Sequence, residues 1–283
     1  MTALITISLM FAARTHTRNA DWRDEYTLWS SAVGVYPTSA KAQNNFGIAL
    51  LDLGRITDAE HAFQAALRIR PQYSEAHNNL GNTYARLAGS TERAAREYRA
   101  ALQIRGDFPE AHYNLGTLLL GSNHVSEACT ELEAALSLRP DYLEARNDLG
   151  RALLASRRFS EAVAQFQVVV AARPQSVEAH TNLGNGLLMI PDRLGDAISE
   201  YEIAVRLRPE MAELHYNLGN ALARDSSAIQ AAVDQYRQAV ALKADFAEAH
   251  YNLSRVLRGI PGEEASARVE SDTAARLRPG LFR

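Results

Sequence analysis

The sequence predicts an all-α fold, a solenoid of stacked antiparallel helix pairs, and two columns of small residues carry that prediction. Gly47, Gly81, Gly116, Gly150, Gly184 and Gly219 recur at spacings of 34, 35, 34, 34 and 35 residues, and Ser254 continues the series. A second column, Ala59, Ala94, Ala128, Ala162, Ala197, Ala232 and Ala267, comes 12 or 13 residues after the first. Self-similarity at such a period marks a repeat array, in which each unit buries its apolar face on its neighbours instead of in one central core. Two small columns per period imply two close-packed helices, about six and a half pairs in all.

In chain order, residues 24–38 read as a half repeat made of a second helix alone. Trp29, Ala32, Val33 and Pro37 stand 34 residues before Phe63, Ala66, Leu67 and Pro71. Full repeats occupy residues 39–260. Their first helix, A, carries a buried stripe such as Ala76, Leu80, Gly81, Tyr84 and Leu87, at the spacing of one helical face. The second helix, B, carries Ala59, Phe63, Ala66, Leu67 and Ile69, matched by Ala197, Tyr201, Ala204, Val205 and Leu207. Each alanine precedes the next member of the glycine series by 22 residues, so length variation falls only in the A–B loop, where runs such as Ile190-Pro191-Asp192-Arg193 have turn chemistry. Pro71, Pro140, Pro174, Pro209 and Pro279 stop helix B, because proline lacks the amide donor and clashes with the preceding turn. Gly106 and Ala244 stand at that position elsewhere. Residues 261–283 read as a polar capping helix, with Ser271 where an aromatic belongs and Glu263, Glu264, Arg268 and Glu270 beside it.

The Leu-Gly pair in helix A, the Ala–aromatic–Ala pattern in helix B and the terminal proline resemble the tetratricopeptide repeat (TPR) consensus over residues 39 to about 279. That resemblance implies a right-handed superhelix, with A helices lining a concave groove and B helices on the convex side. The tryptophan usual early in helix A is replaced by Gln43, His77, His112, Arg146, His180, His215 and His250.

Composition narrows the function. Hydrophobic residues make up 47% and charged residues 22%, enough apolar surface for a packed fold. A net charge of −3 supplies none of the concentrated positive charge that a nucleic-acid backbone demands, so no nucleic-acid partner is expected. The one cysteine, Cys129, excludes an intrachain disulfide. Residues 1–23 form an apolar leader or truncated membrane helix plus a junction; the apolar run 3–13 is shorter than the roughly 20 residues that cross a bilayer. The residues after this run, Arg14-Thr15, Arg18-Asn19, Asp21-Trp22-Arg23, Glu25, Ala32-Val33, Pro37 and Ala40-Lys41, resemble the junction between the last membrane helix and the repeats in the transmembrane and TPR-containing protein O-mannosyltransferases. The resemblance implies a recognition arm for acceptor proteins, attached to a membrane on its lumenal or extracytoplasmic side, whose catalytic residues would lie outside this chain. The other reading of the same residues is a free cytoplasmic scaffold.

The candidate binding residues are Asn45, Asn79, Asn114, Asp148, Asn182, Asn217 and Asn252, each two positions before the glycine series. Helix propensity does not favour asparagine inside a helix, so its recurrence calls for a ligand or a structural partner. A carboxamide offers both donor and acceptor to the backbone of an extended peptide; equally, it can tie neighbouring helices together. The column resembles the asparagine ladder in the repeats of the O-linked N-acetylglucosamine transferase, which implies that it grips peptide backbone. Tyr113, Tyr216 and Tyr251 stand directly before their asparagines and suit either groove contact or packing.

Three other columns have structural explanations. Glu75, Glu110, Glu144, Glu178, Glu213 and Glu248 start the A helices, while Arg70, Arg105, Arg139, Arg173, Arg208, Lys243 and Arg278 end the B helices, as the helix macrodipole favours. The histidine column is no metal site, because repeats stack about 8–10 Å apart whereas ligands approach an ion to about 2 Å. No glycine-rich phosphate loop, Gly-x-Ser-x-Gly or paired metal-ligand motif is present, so no catalytic constellation and no cofactor are expected. The expected partner is a protein or extended peptide.

Overall fold

The computed structural model describes residues 24–280, which hold fifteen α-helices, one 3₁₀ turn and no strand. The predicted leader, 1–23, lies outside the described residues, and among the described residues no helix is long and apolar enough to cross a membrane. A lone helix, α1 (Glu25–Val35), precedes seven helix pairs. These are α2 (Ala40–Asp52) with α3 (Ile56–Ile69), α4 (Ser74–Ala85) with α5 (Thr91–Ile104), and α6 (Pro109–Gly121) with α7 (Val125–Leu138). Next come α8 (Leu143–Ala155) with α9 (Phe159–Ala172), and α10 (Val177–Leu187) with α11 (Leu194–Leu207). The last two are α12 (Ala212–Leu222) with α13 (Ile229–Leu242), and α14 (Ala247–Leu257) with α15 (Glu264–Leu277). The count exceeds the expected six and a half because the last pair, with Ser254 and Ser271 in its signature positions, is as complete as the others. Contacts divide the chain into two compact units, one ending at Ala145 and one beginning at Arg146.

Six of the seven pairs are set by one contact. A methyl group built on Gly47, Gly81, Gly116, Gly184 or Gly219 would meet Phe63, Tyr98, Leu132, Tyr201 or Tyr236 of the partner helix at 2.6–2.8 Å, closer than side chains pack, and Gly150 faces Phe166 in the same way. The glycine thus makes room for the large side chain itself, which lies almost wholly buried against it. Where that side chain is tyrosine, its hydroxyl needs a partner in the core. Tyr98, Tyr201 and Tyr236 donate to Oδ1 of Asn82, Asn185 and Asn220 at 2.7, 2.7 and 2.8 Å. Each of these asparagines comes directly after its glycine, whereas Ile48, Thr117 and Arg151 stand there in the repeats with Phe63, Leu132 and Phe166. Ser254 is fully buried, and its Cβ occupies the space a ring would need; Ser271 accordingly replaces the ring and accepts from Arg258 at 3.0 Å.

The loops obey the length rule read from the sequence. Short A–B loops turn on a left-handed residue, Gly54 (φ 71°), Asn123 (φ 63°) or Arg157 (φ 61°). Longer ones place Gly89, Asp192 or Gly262 there, or form the 3₁₀ turn Ser226–Ala228, which Asp225 caps through Ser227 N at 2.9 Å. At the other junction the B helix of each of the seven pairs has its basic-column residue as the C-cap, from Arg70 to Arg278, with backbone φ between −132° and −144°. A residue ahead of proline is driven out of the helical region, so the proline ends the helix one position before itself; Arg105 and Lys243, ahead of Gly106 and Ala244, leave the helix in the same way without one.

Two substitutions test these constraints. Gly219→Ala, which forces a methyl onto Tyr236, should destabilise the chain by about 1–3 kcal/mol in urea melts, whereas Ser254→Ala, where a Cβ already fits, should cost no more than about 1 kcal/mol. Arg157→Gly should raise stability by about 0.5–1 kcal/mol, because only glycine holds the left-handed conformation without steric cost.

Candidate peptide-binding face

The asparagine column occupies one face of the A helices, one member per helix from Asn45 on α2 to Asn252 on α14. Its asparagines are half-buried, and Asp148 is buried. In the first unit, Asn79 Nδ2 donates to Asn44 Oδ1 at 3.0 Å and Asn114 Nδ2 to Asn78 Oδ1 at 3.0 Å. In the second, Asn182 Nδ2 donates to Asn147 Oδ1 at 2.9 Å, and Asn252 Nδ2 to Asn220 Oδ1 at 2.8 Å and the Tyr216 hydroxyl at 3.2 Å. Each bond links consecutive A helices. Asn45 Oδ1 accepts from its neighbour Asn44 at 3.2 Å, and Asp148 pairs with Arg151 at 2.9 Å. Among the described residues Asn217 makes no side-chain hydrogen bond. The bonds therefore spend amide donors on stacking and leave Oδ1 on Asn79, Asn114, Asn182 and Asn252 as acceptors. The sequence pattern does not single out the residues that receive them, Asn44, Asn78 and Asn147; their signal is a doubled polar residue, Asn-Asn or Asn-Asp, just ahead of Leu-Gly or Phe-Gly.

The histidine column has a definite task. His77 Nε2 meets the Pro71 carbonyl at 3.0 Å while Nδ1 meets Glu97 of α5 at 2.7 Å. His112 does the same with Gly106 and Glu131, His180 with Pro174 and Glu200, His215 with Pro209 and Gln235, and His250 with Ala244 and Glu270. Every imidazole so fastens the loop entering helix A to the middle of helix B. Gln43, in the first pair, reaches the Pro37 carbonyl at 3.2 Å. Histidine replaces the usual tryptophan here because both ring nitrogens find partners.

The acidic and basic columns also meet. Arg105 binds Glu75 at 2.7 Å and Lys243 binds Glu213 at 2.8 Å, and Arg139–Glu110 and Arg278–Glu248 pair alike. The cations stack on the aromatic three residues on, with Arg70 over Tyr73, Arg105 over Phe108, Arg139 over Tyr142 and Lys243 over Phe246 at 3.5–4.9 Å from the ring centroids. The Lys243 ammonium holds the Glu213 carboxyl below the usual carboxylate range. Burial, reinforced by Tyr113 nearby, pushes the Tyr142 phenol up to about 12. Tyr113 and Tyr216 use their rings in packing, at 4.9 Å from Tyr142 and Phe246. The carboxylates are thus elements of a repeated clamp, beyond the macrodipole effect that the sequence suggested.

Stacked helix pairs with a polar ladder on one helix face define a helical repeat array. The chain belongs to the tetratricopeptide repeat family, whose profile matches residues 44–111, 113–177 and 192–228. Over 85 residues, 30% of the chain, it is 44% identical to Protein O-mannosyl-transferase Tmtc3 of Drosophila melanogaster, and over 89 residues 37% identical to Protein O-mannosyl-transferase TMTC3 of Homo sapiens. These matches span only 9% and 10% of the relatives' own lengths. Among solved structures, YrrB, described as a TPR protein with an unusual peptide-binding site, aligns with a TM-score of 0.59 at 22% identity, over 67% of this chain and 96% of that one. MamA from Desulfovibrio magneticus RS-1 aligns at 0.57 with 25% identity, over 61% and 96%. At such identity YrrB supports the fold alone.

The His77 clamp makes stability depend on pH. Its bond to Glu97, helped by the Pro71 carbonyl and opposed by burial, raises the imidazole pKa above the ordinary 6.5. A group whose pKa rises on folding stabilises fully below its unfolded pKa and loses that contribution as pH climbs through the folded value. Urea melts should therefore show the native chain losing stability as pH rises above about 6.5, with His77→Gln flattening the slope.

Proposed function

We propose that the chain is a protein-binding scaffold that holds an extended peptide along the asparagine-lined face of its A helices. One observation carries the reading. The amide donors of Asn79, Asn114, Asn182 and Asn252 are engaged in stacking, so these helices hold carbonyl acceptors in fixed orientation, ready for peptide N–H groups. Backbone hydrogen bonds of this kind give affinity that tolerates variation in peptide sequence.

A second reading is favoured by the 44% identity to Tmtc3. In it, the array is the acceptor-recognition arm of a membrane-bound protein O-mannosyl-transferase whose catalytic part lies outside this chain. Sequencing the gene ahead of Met1 tests it: in-frame hydrophobic spans would support that reading, and an in-frame stop codon there would overturn it.

The binding face is tested by truncating its asparagines. Asn217→Ala should weaken binding to an array of extended peptides without moving the melting temperature, since no protein hydrogen bond is lost. Asn114→Ala and Asn182→Ala should weaken binding too, while each costs about 0.5–1.5 kcal/mol of stability. If all three change stability alone, the column serves stacking only.

A further inference from the structure

We propose that the second unit carries a subsite for a carboxylate, formed by Arg224 and Arg255, which selects an acidic side chain in the bound peptide; this rests on the peptide-binding reading above. A cleft of about 490 Å³ opens between α12, α13 and α14, with Asn220, Arg224, Ile229, Tyr236, Asn252 and Arg255 in its lining. No carboxylate lines it. Asp225, the nearest acid in sequence to Arg224, is spent on capping the 3₁₀ turn through Ser227 N and Oγ at 2.9 and 2.7 Å. Two uncompensated cations face one cavity in a chain of net charge −3.

Both guanidinium groups are exposed yet held in place. Arg224 Nη1 donates to the Leu188 carbonyl at 2.9 Å, and Arg255 lies over the Tyr251 ring at 5.9 Å. A guanidinium has five N–H donors, so each tether leaves others for a ligand. Burial raises the Tyr236 phenol pKa, with Tyr216 adding to the rise and the nearby Arg255 charge opposing it. Ile229 and Val256 supply apolar wall for the methylenes of a glutamate.

The pair is a local departure from the repeat. Arg224 stands five positions after its glycine, and Arg255 one position after the next member of the series. The equivalent pairs elsewhere are Asp52 with Asn82, Arg86 with Thr117, Gly121 with Arg151, Ala155 with Asn185, and Met189 with Asn220. Two arginines coincide only here. A ladder that reads backbone alone would then acquire one point of side-chain selection. Two forked cations suit a single carboxylate, which accepts from both.

Fluorescence anisotropy with the full chain tests this, using labelled serine–alanine peptides whose central pair is Glu-Glu, Gln-Gln or phosphoserine. The glutamate peptide should bind about tenfold more tightly than the glutamine peptide. Arg224→Gln with Arg255→Gln should abolish that advantage and leave the glutamine peptide unaffected. Because Arg224 also tethers Leu188, Arg255→Gln alone serves as a second variant, expected to retain native melting and lose about threefold of the preference. Equal binding of the glutamate and glutamine peptides, or a preference that survives both substitutions, overturns the subsite and leaves the peptide-binding reading standing. Tighter binding of the phosphoserine peptide than of the glutamate peptide overturns the carboxylate assignment. No binding of any peptide removes the underlying reading, and the subsite with it.

Discussion

The contact between a glycine on helix A and a large side chain on helix B is the constraint on which the rest of the array depends. With no Cβ on one side, a phenyl, phenol or leucine fits where two ordinary helices would leave no room, and the pair closes around it. That closure dictates which neighbouring groups meet. The tyrosine hydroxyl falls beside the residue after the glycine, so asparagine there satisfies it; the imidazole at the start of helix A reaches the middle of helix B. Where the glycine is lost, as at Ser254, the ring is lost with it, so both partners change together.

Much of this is legible in the sequence, because a steric constraint repeated at a fixed period leaves a column of glycine or alanine that nothing else explains. The helix ends are equally legible, through proline and the loop length. What the sequence does not disclose is pairing. That Asn79 reaches Asn44, a member of the neighbouring column and not of its own, depends on how consecutive A helices lean on each other. The coupling of Asn82 with Tyr98 is present in the sequence but hidden, since it is a correlation between two columns and each alone looks variable. The acidic and basic columns read as independent responses to helix dipoles until folding brings Glu75 against Arg105. The leader and the first part of the junction that resembles a membrane transferase, up to residue 23, lie outside the described residues, and the second reading of function rests on sequence alone.

If the proposed binding reading holds, the asparagine ladder brings stability and recognition into the same side chains. A carboxamide has opposed polarity at its two ends: here the donor end binds the preceding repeat and the acceptor end is available to a ligand. Stacking fixes the orientation that a ligand requires, which lowers the ordering cost of binding. A peptide spanning several members would in turn bridge consecutive A helices and bind only when they are stacked. Linkage then requires that the ligand stabilise the array, most strongly where stacking is weakest.

Repetition also bears on specificity. Identical acceptors at equal spacing cannot set the register of a peptide, because a shift by one repeat presents the same hydrogen bonds. Register needs a position where the period is broken. In this chain Asp148 replaces asparagine and pairs with Arg151, Asn217 keeps an unengaged amide, and Arg224 and Arg255 coincide across one cleft. All are in the second unit. The regular columns account for how the array holds together, and under the proposed binding reading these departures are where a ligand would be distinguished from its own sequence shifted along the ladder.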